Sequence, residues 1–482
     1  MAAVDPLRGG AGGPTGIDRR DLAANLHAII DRLLEVSERT AEEAAIPVTD
    51  LAAMARLRRI GIPARGRSLA EAAGEMLDLI YPQRARMNHP RCFAFIPAPV
   101  SPVSWIGDLL TGAHNPFAGS WLQSAGPGCI ERELIGWLCA QAGFPAEAGG
   151  LFVSGGSMAN LTALTVARDR RLREDARGSG VAYLSEQTHS SIAKALKIIG
   201  FHEGQIRRLP VDGTFRMEVR PLAEAVARDR AAGLTPFAVV ATAGTTNTGS
   251  IDPLDAIADL CAAERLWLHV DGAYGASALL SPRHRGLLRG IERADSLSWD
   301  AHKWLFQTYD CGMLLMRDRR HLAETFQARP EYLRDARAAD DAVNFWDLGP
   351  ELTRPARALK LWLTLQVLGS DAMGEAIAHG FRLAEWAADE IAHTPDWRIE
   401  SPPQMAIFTF RFAPASMTGD EQDAVNREIS RRAIEDGFCA VLTTQLGGRT
   451  VLRICAIHPE ATESDLRESV RRLHAIARSL VR

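Results

Sequence analysis

WLHVDGAYGAS, residues 267–277, decides how the chain folds. Residues 266–270 are a short run, apolar but for His269, the pattern of a strand buried on both faces. The run delivers Asp271 at its carboxyl end. Gly272, Ala273, Gly275 and Ala276 follow, small enough for a flat group to approach the backbone. Strand-like pieces recur on both sides, at 150–153, 181–184, 237–242, 295–299 and 312–316. Helical patterns alternate with them, at 128–142, 157–173, 189–199, 221–232 and 253–264. That alternation predicts an α/β fold with a mainly parallel central sheet covered on both faces. Ligands of such sheets sit at the carboxyl ends of the strands, where Asp271 falls.

The flanks are different. Residues 1–16 are rich in Gly, Pro and Ala and are expected to be disordered. Leu22, Leu26, Ile29, Ile30, Leu33 and Leu34 then share one helical face, and a second helix is expected over 68–80. Prolines punctuate 89–104, which reads as loop. A long helical stretch over 356–385 leads to a small α+β unit. Its strands are expected at 406–412, 438–443 and 450–455 and its helices at 419–436 and 463–480, the last capped by Thr462 with Asp465. AIFTFRF, 406–412, alternates like a half-buried strand. The divisions expected are an N-terminal helical segment, 1–85, a large domain, 86–375, and a small domain, 376–482.

Composition narrows the function. The net charge of −4 on 482 residues predicts neither a nucleic-acid nor an anionic-membrane partner. No apolar run is long enough to span a bilayer, and the first residues have no signal-peptide core. The seven cysteines form no CxxC and read as reduced thiols in a cytoplasmic protein, with no metal site.

Four stretches carry candidate chemistry. In SWDAHKWLFQTYDCG, 298–312, Lys303 lies among apolar and aromatic residues. A desolvated amine has a lowered pKa and attacks carbonyls; a lysine snorkelling from a packed strand end explains the run equally well. In LFVSGGSMANLTAL, 151–164, a strand enters a helix through Ser-Gly-Gly-Ser, where free amides and the hydroxyls of Ser154 and Ser157 suit a phosphate. A plain turn with an N-cap serine has the same sequence. The pattern is neither GxGxxG nor a Walker loop, which argues against NAD and ATP. His189 opens a helix in SEQTHSSIAKALKIIG, 185–200, and Thr245, Thr246 and Thr248 cluster in AGTTNTGSIDPLDAI, 243–257. Asp271 itself either caps a turn or holds a proton on a pyridine nitrogen, the task pyridoxal 5'-phosphate (PLP) sets its protein.

Phosphate turn, histidine, threonine loop, acidic strand end and lysine, in that order, resemble the fold-type I PLP enzymes, and within them the group II amino-acid decarboxylases. HVDGAYG, DAHKW, THSS, SGGSMANLTAL and HPRCFAFIPAP carry the likeness, which runs from about residue 20 to the end. It implies that Lys303 bears the cofactor as a Schiff base, that Asp271 pairs with the ring nitrogen with Ala273 close under the ring, and that His189 stacks opposite. Ser157, Met158, Asp300 and His302 would surround the phosphate end, and Thr246 would sit near cofactor and substrate. Tyr332, in ARPEYLRD, matches a tyrosine that protonates the α-carbon from a loop. The resemblance further implies a tight homodimer with the site at the interface and the N-terminal helices wrapped around the partner.

The same likeness implies loss of the α-carboxylate from an L-amino acid to give the amine and carbon dioxide. In aldehyde-forming relatives the tyrosine or the histidine tends to be replaced; here His189 and Tyr332 are both present. Phe95, Pro97, Ala98 and Trp121 are the expected substrate contacts. The pocket reads as apolar but poorer in aromatic bulk than in animal aromatic decarboxylases, with Ile96 in the proline loop and Gly119 before Ser120 and Trp121. An aromatic substrate is favoured, with an acidic or diamino acid, an aldehyde synthase, or a catalytically silent binding homologue as alternatives. His458 stands where the resemblance leads one to expect asparagine.

Overall fold

The computed structural model describes residues 19–327 and 342–481. The expectations for residues 1–16 and for Tyr332 lie outside them.

Seven strands build the large sheet: β1 (Gly149–Val153), β2 (Gly180–Ser185), β3 (Ile206–Leu209), β4 (Thr235–Thr242), β5 (Trp267–Asp271), β6 (Ser296–Asp300) and β7 (Gly312–Met316). Their order is β1-β7-β6-β5-β4-β2-β3. β7 runs antiparallel to both its neighbours and every other pairing is parallel. The carboxyl ends of β1, β2, β4, β5 and β6 therefore share one edge with the start of β7. Register fixes that edge: Thr242 faces Asp271, Asp271 faces Ser298, and Asp300 faces Gly312.

Both faces of the sheet are covered, so β5, β6 and β7 are buried along their whole length. Trp267 and Trp299 are fully buried, and each indole N–H is satisfied, donating to Ser296 Oγ at 2.9 Å and Ser277 Oγ at 3.0 Å. Beneath β1 the Arg354 guanidinium grips the Glu131 carboxylate at 2.6 and 3.0 Å, both side chains 1% exposed.

The small domain has β8 (Trp397–Gln404), β9 (Ile407–Phe412), β10 (Leu442–Leu446) and β11 (Arg449–Cys455), antiparallel in the order β10-β11-β9-β8. Helices Gly419–Asp436 and Glu463–Leu480 pack on it, each opened by a capping box, Thr418 with Glu421 and Thr462 with Asp465. β9 differs from the half-buried strand expected. It is interior to the sheet, so Phe408, Phe410 and Phe412 are buried on one face and Thr409 and Arg411 on the other. Arg411 Nη2 donates there to Gln422 Oε1 at 2.6 Å, while its Nε is buried without a partner.

The helix Ala358–Ala392 passes through the boundary expected near 375 and bends at Gly369, whose φ of 80° suits glycine. The proline loop belongs with the small domain as much as the large one. Phe93 N–H donates to Ala440 O, Ala440 N–H to Arg91 O, and Cys455 N–H to Phe93 O. His458 closes the same seam. Its Nδ1 accepts from Glu460 N–H at 3.1 Å, so its Nε2–H donates to Asn88 O at 2.9 Å. That is the account of this residue: it is a clip, held neutral by burial that lowers its pKa.

The N-terminal helix Arg19–Glu38 leaves Leu22, Leu26, Leu33 and Leu34 exposed in the single chain. Among the described residues no helix is long and apolar enough to cross a membrane, and no group of side chains is arranged to hold a metal. All seven cysteines are unpaired.

Candidate active site at the carboxyl edge of the sheet

A cleft of about 500 Å3 opens at that edge. Ser157, His189, Thr246, Asp271, Ala273, Asp300, His302, Lys303 and Phe95 all line it. Apart from Phe95, which the proline loop supplies, these residues are far apart in the sequence and are brought together because each ends or follows a strand of one sheet. Met158, Pro97, Ala98 and Trp121 are not among the lining residues. Met158 packs its side chain on the core behind β1, and its amide is taken by Gly155 O at 2.9 Å. Ala98 is buried. Trp121 opens the helix Trp121–Gln141, its N–H donating to Asn344 Oδ1 at 2.9 Å.

Asp271 is held rigidly. Oδ1 accepts from Ala273 N–H at 3.1 Å and from Ser298 Oγ at 3.2 Å; Oδ2 accepts from Asn160 Nδ2 at 3.2 Å. The carboxylate keeps capacity for a further donor on the cleft side.

Lys303 follows β6 in a single turn, Ala301–Trp304, walled by buried Trp304, Leu305 and Phe306. Its Nζ lies 2.9 Å from Asp300 Oδ2. The lowered pKa expected for this amine is not what the site provides. Burial pulls the pKa down, but the Asp300 carboxylate outweighs it, with Asp271 adding to the pull, so the net shift is upward. His302 Nδ1 accepts from Cys311 N–H at 3.1 Å, which leaves its Nε2–H directed to Asp300, 3.5 Å away. Burial lowers the His302 pKa, only partly offset by Asp300.

His189 is the N-cap of the helix Ser190–Ile198: its Nδ1 accepts from Ser191 N–H at 3.3 Å and lies 2.8 Å from Ser191 Oγ. A larger, more open groove of about 690 Å3 lies on the outer side of this histidine, lined by Lys194, Lys197 and Arg208. It contains neither Lys303 nor Asp271, so the chemistry belongs to the smaller cleft.

The cleft fits PLP on the donors present. Asp271 offers its free capacity to a ring nitrogen, and Lys303 is an amine set to meet an aldehyde. The amides of Gly156 and Ser157, which open the helix Gly156–Arg171, have no helical partner. The Ser154 and Ser157 hydroxyls beside them make no hydrogen bond among the described residues, and all suit a phosphate. At Gly156 a Cβ would come within 3.1 Å of both Ala273 Cβ and Asp300 Oδ2, so the floor is closed by the absence of a side chain. One oxygen, Asp300 Oδ1, is buried without a partner.

Three contributors escaped the sequence reading. Tyr309 lines the cleft with its ring centroid 4.9 Å from that of His302. Its place six residues after Lys303 was the available signal. Arg453 donates through Nε to Thr246 O at 2.7 Å and through Nη1 to Phe95 O, fastening the threonine loop to the proline loop. Phe95, at φ 56°, is held by this bond in a conformation costly for an aromatic residue. Asn160, inside the SGGSMANLTAL stretch, is buried behind Asp271.

A mainly parallel sheet with an amine, a carboxylate and a Ser-Gly-Gly-Ser turn at its carboxyl edge is the architecture of a PLP enzyme of fold type I. The chain belongs to the pyridoxal-dependent decarboxylase family, whose conserved domain matches residues 53–413. It is 41% identical over 418 residues to an aromatic-L-amino-acid decarboxylase of Bacillus atrophaeus, covering 86% of this chain and 87% of that one. It is 35% identical over 403 residues to an L-2,4-diaminobutyrate decarboxylase of Rhizobium meliloti, covering 83% and 80%. The crystal structure of Oryza sativa TDC with PLP and tryptamine superposes with a TM-score of 0.91 at 28% identity, covering 97% of this chain and 99% of that one. The protein is a PLP-dependent carboxy-lyase acting on an amino acid.

Proposed function

We propose that the chain, a cytoplasmic homodimer, removes the α-carboxylate of an aromatic L-amino acid and releases the amine and carbon dioxide. One observation carries the choice of substrate. The cleft walls present Phe95, Ile96 and Tyr309, while its charged groups, Asp271, Asp300 and Lys303, all sit at strand ends and are engaged there. Among the described residues no lining carboxylate or cation is left over for a charged substrate side chain.

PLP, when bound, supplies a carbonyl for the substrate amine and a ring that draws electrons from the α-carbon. Lys303 would hold its aldehyde carbon, Asp271 its ring nitrogen, and Ser157 with the helix amides its phosphate. Asp300 stands by to hold a proton at Lys303 Nζ. His189 would wall one side of the ring and Ala273 the other. Thr246 is placed to orient the substrate's α-carboxylate, and orientation of the breaking bond is the protein's main contribution to rate. Tyr332 would return a proton to the α-carbon. The apolar walls exclude water from that exchange.

The dimer rests on two features: the uncovered Leu22, Leu26, Leu33 and Leu34 face, and the Gly119–Trp121 segment, which does not line its own chain's cleft. The reading assigns Trp121 to the partner's cleft, and retains the division at 1–85, 86–375 and 376–482.

The test is purified protein with PLP, offered tryptophan, tyrosine, phenylalanine, glutamate and 2,4-diaminobutyrate, with carbon dioxide and the organic product measured. Amine from an aromatic acid is expected. Turnover of 2,4-diaminobutyrate alone would move the substrate to that of the Rhizobium relative. Aldehyde, ammonia and peroxide would make the protein an aldehyde synthase.

A further inference from the structure

A directional chain of hydrogen bonds runs behind the cleft. Trp267 Nε1–H donates to Ser296 Oγ at 2.9 Å, so the Ser296 hydroxyl hydrogen is free to point at His269 Nδ1, also 2.9 Å away. His269 is wholly buried, and burial lowers its pKa to about 4, so the ring is neutral and carries its hydrogen on Nε2. That hydrogen meets Asn160 Oδ1 at 2.9 Å. The amide orientation follows, because a flipped Asn160 would set its oxygen against the Asp271 carboxylate.

The two hydrogens of Asn160 Nδ2 then serve two branches. One goes to Asp271 Oδ2 at 3.2 Å, the other to Ser191 Oγ at 3.0 Å. With its oxygen accepting from Asn160, the Ser191 hydroxyl donates to His189 Nδ1 at 2.8 Å, as does Ser191 N–H. The hydrogen on His189 is therefore on Nε2.

We propose that Asn160 is a positioning residue that couples the two walls of the cofactor site. Through one amide it orients the Asp271 carboxylate and, by way of Ser191, sets His189 as the tautomer that presents Nε2–H. The proposal rests on the PLP reading for what Asp271 meets, but its hydrogen-bond logic is a property of the protein alone.

The isosteric variant Asn160→Asp tests it, since packing is retained while both donors are lost. A carboxylate at that point accepts the Ser191 hydroxyl hydrogen, and Ser191 Oγ becomes an acceptor for His189. Side-chain nitrogen NMR of the histidine-labelled full-length protein, without cofactor, should show His189 as Nε2–H in the wild type. In the variant it should shift toward Nδ1–H. In parallel, PLP affinity should fall about 10- to 100-fold, the scale of a lost hydrogen bond to a charged group. A tautomer that does not move, or an affinity within about two-fold of wild type, overturns the coupling. If Asn160→Asp does not fold, Ser191→Ala removes the hydroxyl that links Asn160 to His189 and leaves only the longer Ser191 N–H contact at 3.3 Å, and an unmixed Nε2–H signal there is equally fatal. The two readings fail separately. Wild-type protein that binds no PLP sinks the cofactor reading, while the tautomer measurement still judges Asn160.

Discussion

The carboxyl edge of the large sheet and the N-terminal helix treat their side chains in opposite ways. At the sheet edge the charged groups find partners inside one chain: Asp271 with Asn160 and Ser298, Lys303 with Asp300. On the helix Arg19–Glu38 four leucines find none. Buried polar groups must be satisfied where they stand, whereas apolar surface can wait for a second copy. The contrast separates polar groups that are paired within one chain from an apolar face that the proposed dimer would cover.

The largest effect expected is at the sheet edge. Lys303→Ala should abolish the visible absorbance of bound PLP and lower turnover by at least ~1000-fold, read by spectroscopy and carbon dioxide release. A band that survives unchanged would remove Lys303 from the chemistry. Next comes Arg354→Met. It leaves the Glu131 carboxylate buried without its partner, and unfolding in denaturant should show a loss of about 3–5 kcal/mol. Both variants probe what one chain supplies.

The other side of the contrast is tested by Leu26→Asp with Leu33→Asp. Light scattering should show monomer where the wild type shows dimer, and activity should fall together with dimer content. Full activity in a monomer would show that no partner residue completes the site.

The smallest effect lies where the two regions join. His89 is fully buried; its Nδ1 accepts from Arg91 N–H at 2.9 Å and its Nε2–H donates to Glu43 O at 3.0 Å. Burial lowers its pKa to about 4, helped by Arg91. The unfolded chain, near the ordinary 6.5, binds the proton more readily. The stability His89 contributes is thus intact above that value and drains as pH falls from 6.5 toward 4. Relative to His89→Asn, the wild type should lose roughly 1.4 kcal/mol per pH unit across that window. Parallel pH curves would mean that His89 is charged in the folded state.

Sequence periodicity located the elements whose packing is ordinary. β7 and the helices Gly419–Asp436 and Glu463–Leu480 lie where the pattern puts them. It missed β3, IRRL, which is only four residues long and half exposed. It missed β8, WRIESPPQ, because two prolines argue against a strand; an edge position with an irregular register tolerates them. In the site, residues at strand ends were legible because each follows a strand-like run, and the ends of those runs meet at one edge whatever the order of the strands along it. Asn160, Arg453 and Tyr309 were not, since each matters through what lies beside it in space. The direction of the Lys303 shift was missed for a nearer reason: Asp300, three residues before it, was assigned to the phosphate and not to the amine.

The seam between the proline loop and the small domain has a consequence for how the protein is made. Phe93, which leads into the cleft wall at Phe95, is held by Ala440 and Cys455. The ribosome releases Phe93 well before Ala440. At ordinary rates of synthesis the nascent wall waits on the order of tens of seconds for its support. The active site therefore closes only once the small domain has been made, and a chain that stops after the large sheet would still lack it.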